Sequence, residues 1–201
     1  AGHEVILVSS GAIGLGMGKL GLMDRPKDTP GKQACAAVGQ CELMYLYDNL
    51  FSEYSITVAQ LLLTKYILLE DRRKNVENAL ERLISQGVIP VVNENDTVAI
   101  DELELEMGEN DSLAAVVATI ANADLLIIMS DIDGLYDSDP RQNPDAKMIP
   151  VVQEISEDIH AVAGGAGTKF GTGGMATKIH AVEIAYESDI DVVLMNGQHP
   201  K

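Results

Sequence analysis

The chain has 201 residues, 46% hydrophobic and 4% aromatic with no Trp, and a formal net charge of −17. That length supports one α/β domain with a real core, and an aromatic-poor apolar content suits a buried parallel sheet of Val, Ile, Leu and Ala. The 14 Lys and Arg are scattered, which argues against the basic footprint of a nucleic-acid binder. No apolar run reaches the roughly 18 residues of a membrane span. No signal peptide is visible, so a reducing cytoplasm is the expected compartment. Cys35 and Cys41 lie six apart in an expected helix, on different faces, which disfavours a local disulfide. There is no CxxC, and the four histidines are far apart in sequence, which disfavours a structural zinc site.

In chain order, residues 5–8 read as a buried strand. Residues 33–54 read as a helix with Leu43, Leu46, Leu50 and Phe51 on one face. Residues 57–63 are a second strand, and 72–86 a helix with Gly87 as its natural C-cap. Residues 88–92 are a third strand, with Pro90 at some cost to a central position. A helix at 111–121, a strand at 125–129, a helix at 177–187 and a strand at 192–195 follow. The acidic 102–109 reads as a surface hairpin or loop, 138–148 as a surface excursion, and 163–174, with six glycines, as a loop. Strand–helix alternation predicts a mainly parallel sheet with helices on both faces. Such sheets bind ligands beyond the C-terminal ends of their strands. Ser9-Ser10-Gly11-Ala12, Asn93-Glu94-Asn95-Asp96 and Ser130-Asp131 occupy those positions.

The densest motif is Gly171-Thr172-Gly173-Gly174-Met175-Ala176-Thr177-Lys178. Small residues allow close backbone approach, a helix start offers unpaired N–H groups, and Lys178 adds a full charge. Together they form an anion site suited to phosphate. GxxxxGK[ST] is absent, as are HRD and DFG. Gly16-x-Gly18-x-x-Gly21 matches GxGxxG, but it begins some eight residues after the expected strand and lacks a strand–turn–helix frame, so a dinucleotide site there is disfavoured. Amide and carboxylate side chains dominate 93–96 and 109–111. They suit a zwitterionic amino acid; each segment alone reads better as turn and helix-cap chemistry, but the two together with Ser10-Gly11 at strand ends favour a site. Ser130-Asp131-Ile132-Asp133-Gly134 fits a simple Asp-Gly turn, a nucleotide-contacting turn or an acidic pair for a metal.

VSSGAIGLG at 8–16, AAVGQ at 36–40, VNENDTVA at 92–99, GENDSL at 108–113, SDIDGLYDSDPR at 130–141 and GTGGMATK at 171–178 resemble, in that order and over nearly the whole chain, the glutamate 5-kinases of the amino-acid kinase family. The resemblance implies a three-layer α/β/α sandwich and transfer of the ATP γ-phosphate to the side-chain carboxylate of L-glutamate, the first step of proline synthesis. It implies Mg²⁺ with the nucleotide, proline as feedback inhibitor, and a homodimer or homotetramer. By motif, Lys178 would contact the transferring phosphate and Asp111 would organise the catalytic lysines. Ser10, Gly11, Asp96, Glu109 and Asn110 would bind glutamate, with Asn93 in support. Ser130, Asp131 and the loop Thr172, Gly173, Gly174, Met175, Ala176, Thr177 and Lys178 would bind the nucleotide.

Two departures stand out. The family's opening strand, with its lysine and Gly/Ser turn, precedes the first residue given, so 1–201 is expected to be a single domain lacking that strand and further residues at its end, with no additional C-terminal domain. Glu109 stands where the family usually has Asp. Rival readings are a kinase of acetylglutamate, aspartate or a nucleoside monophosphate, against which the 93–96 and 108–111 blocks argue, and a non-catalytic binding module.

Overall fold

Among the described residues the named strands pair in parallel, and each ladder is bridged by helical chain. The computed structural model describes residues 2–98, 110–164 and 174–198. The chain divides into two units, Ala1–Asn110 and Asp111–Lys201.

The first unit runs β1 (Leu7–Val8), α1 (Ala12–Leu20), α2 (Thr29–Ser52), β2 (Val58–Leu63), α3 (Glu70–Ser85) and β3 (Ile89–Glu94), with strand order β1-β3-β2. β3 is central, which explains why Pro90, Val91, Val92 and Asn93 are all buried. Pro90 is tolerated because of the ladder's alternation. The Ile89 N–H donates toward β2, to Thr57 O at 2.9 Å, so the N–H that Pro90 lacks would have pointed toward β1. β1 pairing starts one residue later, at Leu7 with Val91. The strand expected at 5–8 therefore shrinks to two residues: Pro90 removes the donor that upstream pairing would use.

Helix α2 starts four residues earlier than expected. Asp28 is its N-cap, accepting from the Gly31 N–H at 2.9 Å, and Pro30 sits in the first turn. Its buried face is Cys35, Ala36, Gly39, Gln40 and Leu43. The expected apolar face is half wrong, since Leu46 and Leu50 are exposed. Small residues won because α1 crosses α2 backbone to backbone. A Cβ at Gly16 would lie 1.8 Å from Cys35 O, and one at Gly39 1.7 Å from Ala12 O. This also disposes of the GxGxxG match. Gly16 and Gly18 lie inside α1, and Gly21 caps it with φ +68°. Helix α3 closes as a Schellman turn: the N–H groups of Gly87 (φ +72°) and Val88 donate to Ile84 O and Leu83 O.

The second unit runs α4 (Asn110–Ile120, its first residue at the division), β4 (Leu125–Ser130), α5 (Glu157–Gly164), α6 (Met175–Tyr186) and β5 (Asp191–Asn196). β4 pairs in parallel with β5 in register Leu125 with Asp191 to Ser130 with Asn196. Alternation along β4 points Leu126 and Ile128 inward, onto a cluster with Ala115, Ala118, Ala181, Ala185 and Ile190. Alanines on α4 and α6 let the helices lie close to the strands. The excursion after β4 is held by a bridge between Tyr136 and Met148. α5 was not expected from the sequence. Glu102–Glu109 and most of the 163–174 loop lie outside the described residues.

Candidate active site

Each unit contributes polar side chains to a candidate site. In the first unit, β1 and β3 end side by side, and the turns that follow them frame a cleft of about 280 Å³. That is near the small end of ligand pockets, which run to about 1,000 Å³. Ser10, Gly11, Asn93, Asp96 and Asn110, all expected from sequence, line it together. Arg25, Glu94, Met17 and the start of α1 complete the wall. Gly11 is the N-cap of α1 with φ +95° and supplies no side-chain cap, so the first-turn N–H groups of α1 are left to other acceptors.

The cleft carries both signs of charge. Arg25 is its cation, and Glu94 and Asp96 are its anions. Burial pushes the Asp96 carboxyl above its usual range, and the nearby Arg25 charge only partly offsets this. A desolvated carboxylate is a ready acceptor for an ammonium group. Asn93 is 3% exposed and held on two sides. Its Oδ1 accepts from the Glu94 N–H at 2.9 Å, and its Nδ2 donates to Gln40 Oε1 at 2.9 Å. Beside it, the Ser9 and Tyr47 hydroxyls are 2.9 Å apart, which ties the end of β1 to α2. The sequence reading missed Arg25, Gln40 and Tyr47 as site-shaping residues. AAVGQ was the one signal that could have found Gln40.

In the second unit, Lys178 Nζ donates to Asp111 Oδ2 at 2.8 Å, with side chains only 13% and 22% exposed. Asp111 sits in the first turn of α4, where the helix dipole favours an anion. Lys178 is the fourth residue of α6, not the second, because the helix begins at Met175 rather than Thr177. Gly174 is the N-cap and gives no side-chain bond, and the Thr177 hydroxyl donates to Gly174 O at 2.8 Å. The N–H groups of Met175, Ala176 and Thr177 thus open the helix.

The β4 end is a tied turn. Ser130 Oγ donates to Asp131 Oδ1 at 3.3 Å, Arg141 Nη2 to Asp131 Oδ2 at 2.8 Å, and Asn196 Nδ2 to Asp133 Oδ1 at 2.8 Å. Both acidic side chains of the Asp-Gly turn are therefore engaged by the protein. Among the described residues, no group of three or more His, Cys, Asp or Glu gathers for a metal. Glu109, Thr172 and Gly173 lie outside the described residues. Cys35 is buried, Cys41 is exposed, and both are free thiols. No helix among the described residues is long and apolar enough to cross a membrane.

Comparisons with known proteins bear on this arrangement. The model of the amino acid kinase family matches residues 1–196. The glutamate 5-kinase of Clostridium perfringens is 54% identical over 203 residues, covering all of this chain and 76% of that protein. The glutamate 5-kinase of Caldanaerobacter subterraneus is 55% identical over 198 residues, covering 98% of this chain and 53% of that protein. Among solved structures, T. acidophilum isopentenyl phosphate kinase in a product complex aligns with TM-score 0.61 at 20% identity, over 98% of this chain and 76% of that one. E. coli aspartokinase III with aspartate and ADP aligns with TM-score 0.64 at 16% identity, over 94% and 42%. These two support the α/β sandwich fold and nothing finer.

Proposed function

We propose, because this chain belongs to the amino acid kinase family, that it transfers the γ-phosphate of ATP to the side-chain carboxylate of L-glutamate. The product is L-glutamyl 5-phosphate, which opens proline synthesis. The observation that carries the reading is the cleft in which Ser10, Gly11, Asn93, Asp96 and Asn110 converge from three segments. Relatives named glutamate 5-kinase at 51–55% identity support it.

In this reading the cleft holds the amino acid. Asp96 receives the ammonium group, Arg25 and the N–H groups of α1 receive carboxylate charge, and Asn93 and Asn110 add amide donors. The acceptor carboxylate is already ionised, so no general base is needed. One of its oxygens bonds to the γ-phosphorus, the bond from that phosphorus to the β-bridging oxygen breaks, and ADP leaves with the electron pair. Catalysis is then positioning and charge stabilisation. Lys178 and the N–H groups that open α6 stabilise charge on the transferring group, and Asp111 orients Lys178. Ser130 and Asp131 contact the nucleotide. Mg²⁺ would accompany the nucleotide and would offset the charge of its phosphates. Proline inhibition, a dimer or tetramer, and a cytoplasmic setting belong to the same proposal.

ADP release with ATP and Mg²⁺, tested separately with L-glutamate, N-acetylglutamate, aspartate and UMP, separates the family's activities. Turnover with glutamate alone is expected. Preference for any other acceptor, or nucleotide and glutamate binding without turnover, rejects the reading.

A further inference from the structure

Gln40 is 8% exposed, lies on α2, and does not line the cleft. Its hydrogen bonding is nonetheless dictated from the cleft. The Glu94 N–H can only donate, so it turns Asn93 Oδ1 toward itself. Asn93 Nδ2 then faces Gln40, which must answer with Oε1. Among the described residues, Gln40 Nε2 is left buried without a partner. A protein interior rarely keeps an orphan donor where an apolar side chain of the same size would serve. One Nδ2 hydrogen of Asn93 is used by Gln40, and among the described residues none accepts the second.

We propose that Gln40 is a positioning residue for the acceptor site. It fixes Asn93 so that the second Nδ2 hydrogen is presented to a carboxylate of the bound amino acid. The inference rests on the proposed glutamate reading. Without Gln40, Asn93 keeps its bond to the Glu94 N–H but loses the contact that fixes the plane of its amide. Affinity for the amino acid then falls while the nucleotide half of the reaction is untouched.

The test is a double-mutant cycle of Gln40→Met and Asn93→Ala, with steady-state kinetics in glutamate and in ATP and a thermal melt of each variant. Gln40→Met is expected to raise KM for glutamate about tenfold or more, the scale of one hydrogen bond to a charged group. KM for ATP stays within about twofold. Its Tm changes little, because the orphan donor goes with the amide while Asn93 Nδ2 loses its acceptor. In the Asn93→Ala background the same change has no further effect on glutamate KM, since Gln40 acts through Asn93. Gln40→Leu carries the same expectations if Gln40→Met lacks a cooperative melt. Additive effects, or equal increases in both KM values with a lower Tm, overturn the inference. A wild-type enzyme that ignores glutamate overturns the functional reading first, and is recognised before any variant is made.

Discussion

Lys178 and Asp111 form a largely buried pair at 2.8 Å, and neither charge is cheap to hold without the other. If Lys178 stabilises the transferring phosphoryl group, Lys178→Ala lowers kcat by about 10²–10³ or more, the cost of one preorganised donor. Glutamate binding largely survives, which calorimetry or a glutamate-dependent melting shift checks; unchanged turnover removes Lys178 from the role. Asp96 makes a second prediction. Its carboxyl is raised above 3.8, first by burial, so the native state holds that proton more tightly than the unfolded chain does. Stability is therefore lost as pH rises from the ordinary carboxylate range through the raised value, and the full penalty stands above it. Asp96→Asn should melt higher than wild type at neutral pH, with the gap closing toward pH 4, while kcat/KM for glutamate falls tenfold or more because the ammonium loses its partner. A variant that melts lower at pH 7 and keeps its glutamate kinetics contradicts both halves. At this scale the sequence was informative wherever a polar residue directly followed a strand, as Ser10 and Asn93 do. Arg25 escaped notice because it sits in the connection between α1 and α2, away from any strand end or motif.

Helix α1 was the element least visible beforehand. Three glycines in nine residues each cost about 1 kcal/mol against Ala in a helix, so local propensity argued against it. The reason for Gly16 lies in α2, whose Cys35 carbonyl occupies the space a side chain would need. No local pattern reports that contact. The consequence is measurable. Gly39→Ala puts a methyl group against the Ala12 carbonyl and should destabilise the first unit by about 1–3 kcal/mol or more, as overpacking does. Gly18→Ala, with open space around it, should be neutral or stabilising by up to about 1 kcal/mol. Equal melting of the two variants would refute the close crossing. The crossing also seats the turn at Gly11, so Gly39→Ala is expected to weaken glutamate binding beyond its effect on folding.

For the whole molecule, alternating strands and helices and an aromatic-poor core were enough to expect a parallel α/β sandwich, and the family match over residues 1–196 agrees. The strands at 57–63, 88–92, 125–129 and 192–195 could be read because each is a short apolar run bounded by turns. The length of β1 could not, because it depends on which side of β3 Pro90 leaves without a donor. The functional account divides the labour between an acceptor cleft in the first unit and a lysine–aspartate pair in the second. The measurement that tests it most directly is hydroxylamine trapping of the acyl phosphate, with ATP, Mg²⁺ and L-glutamate, in wild type and Lys178→Ala. Glutamate-dependent hydroxamate from the wild type, reduced about 10²-fold or more in the variant, is the expected result. ADP release without hydroxamate, or equal hydroxamate from both proteins, would contradict the account.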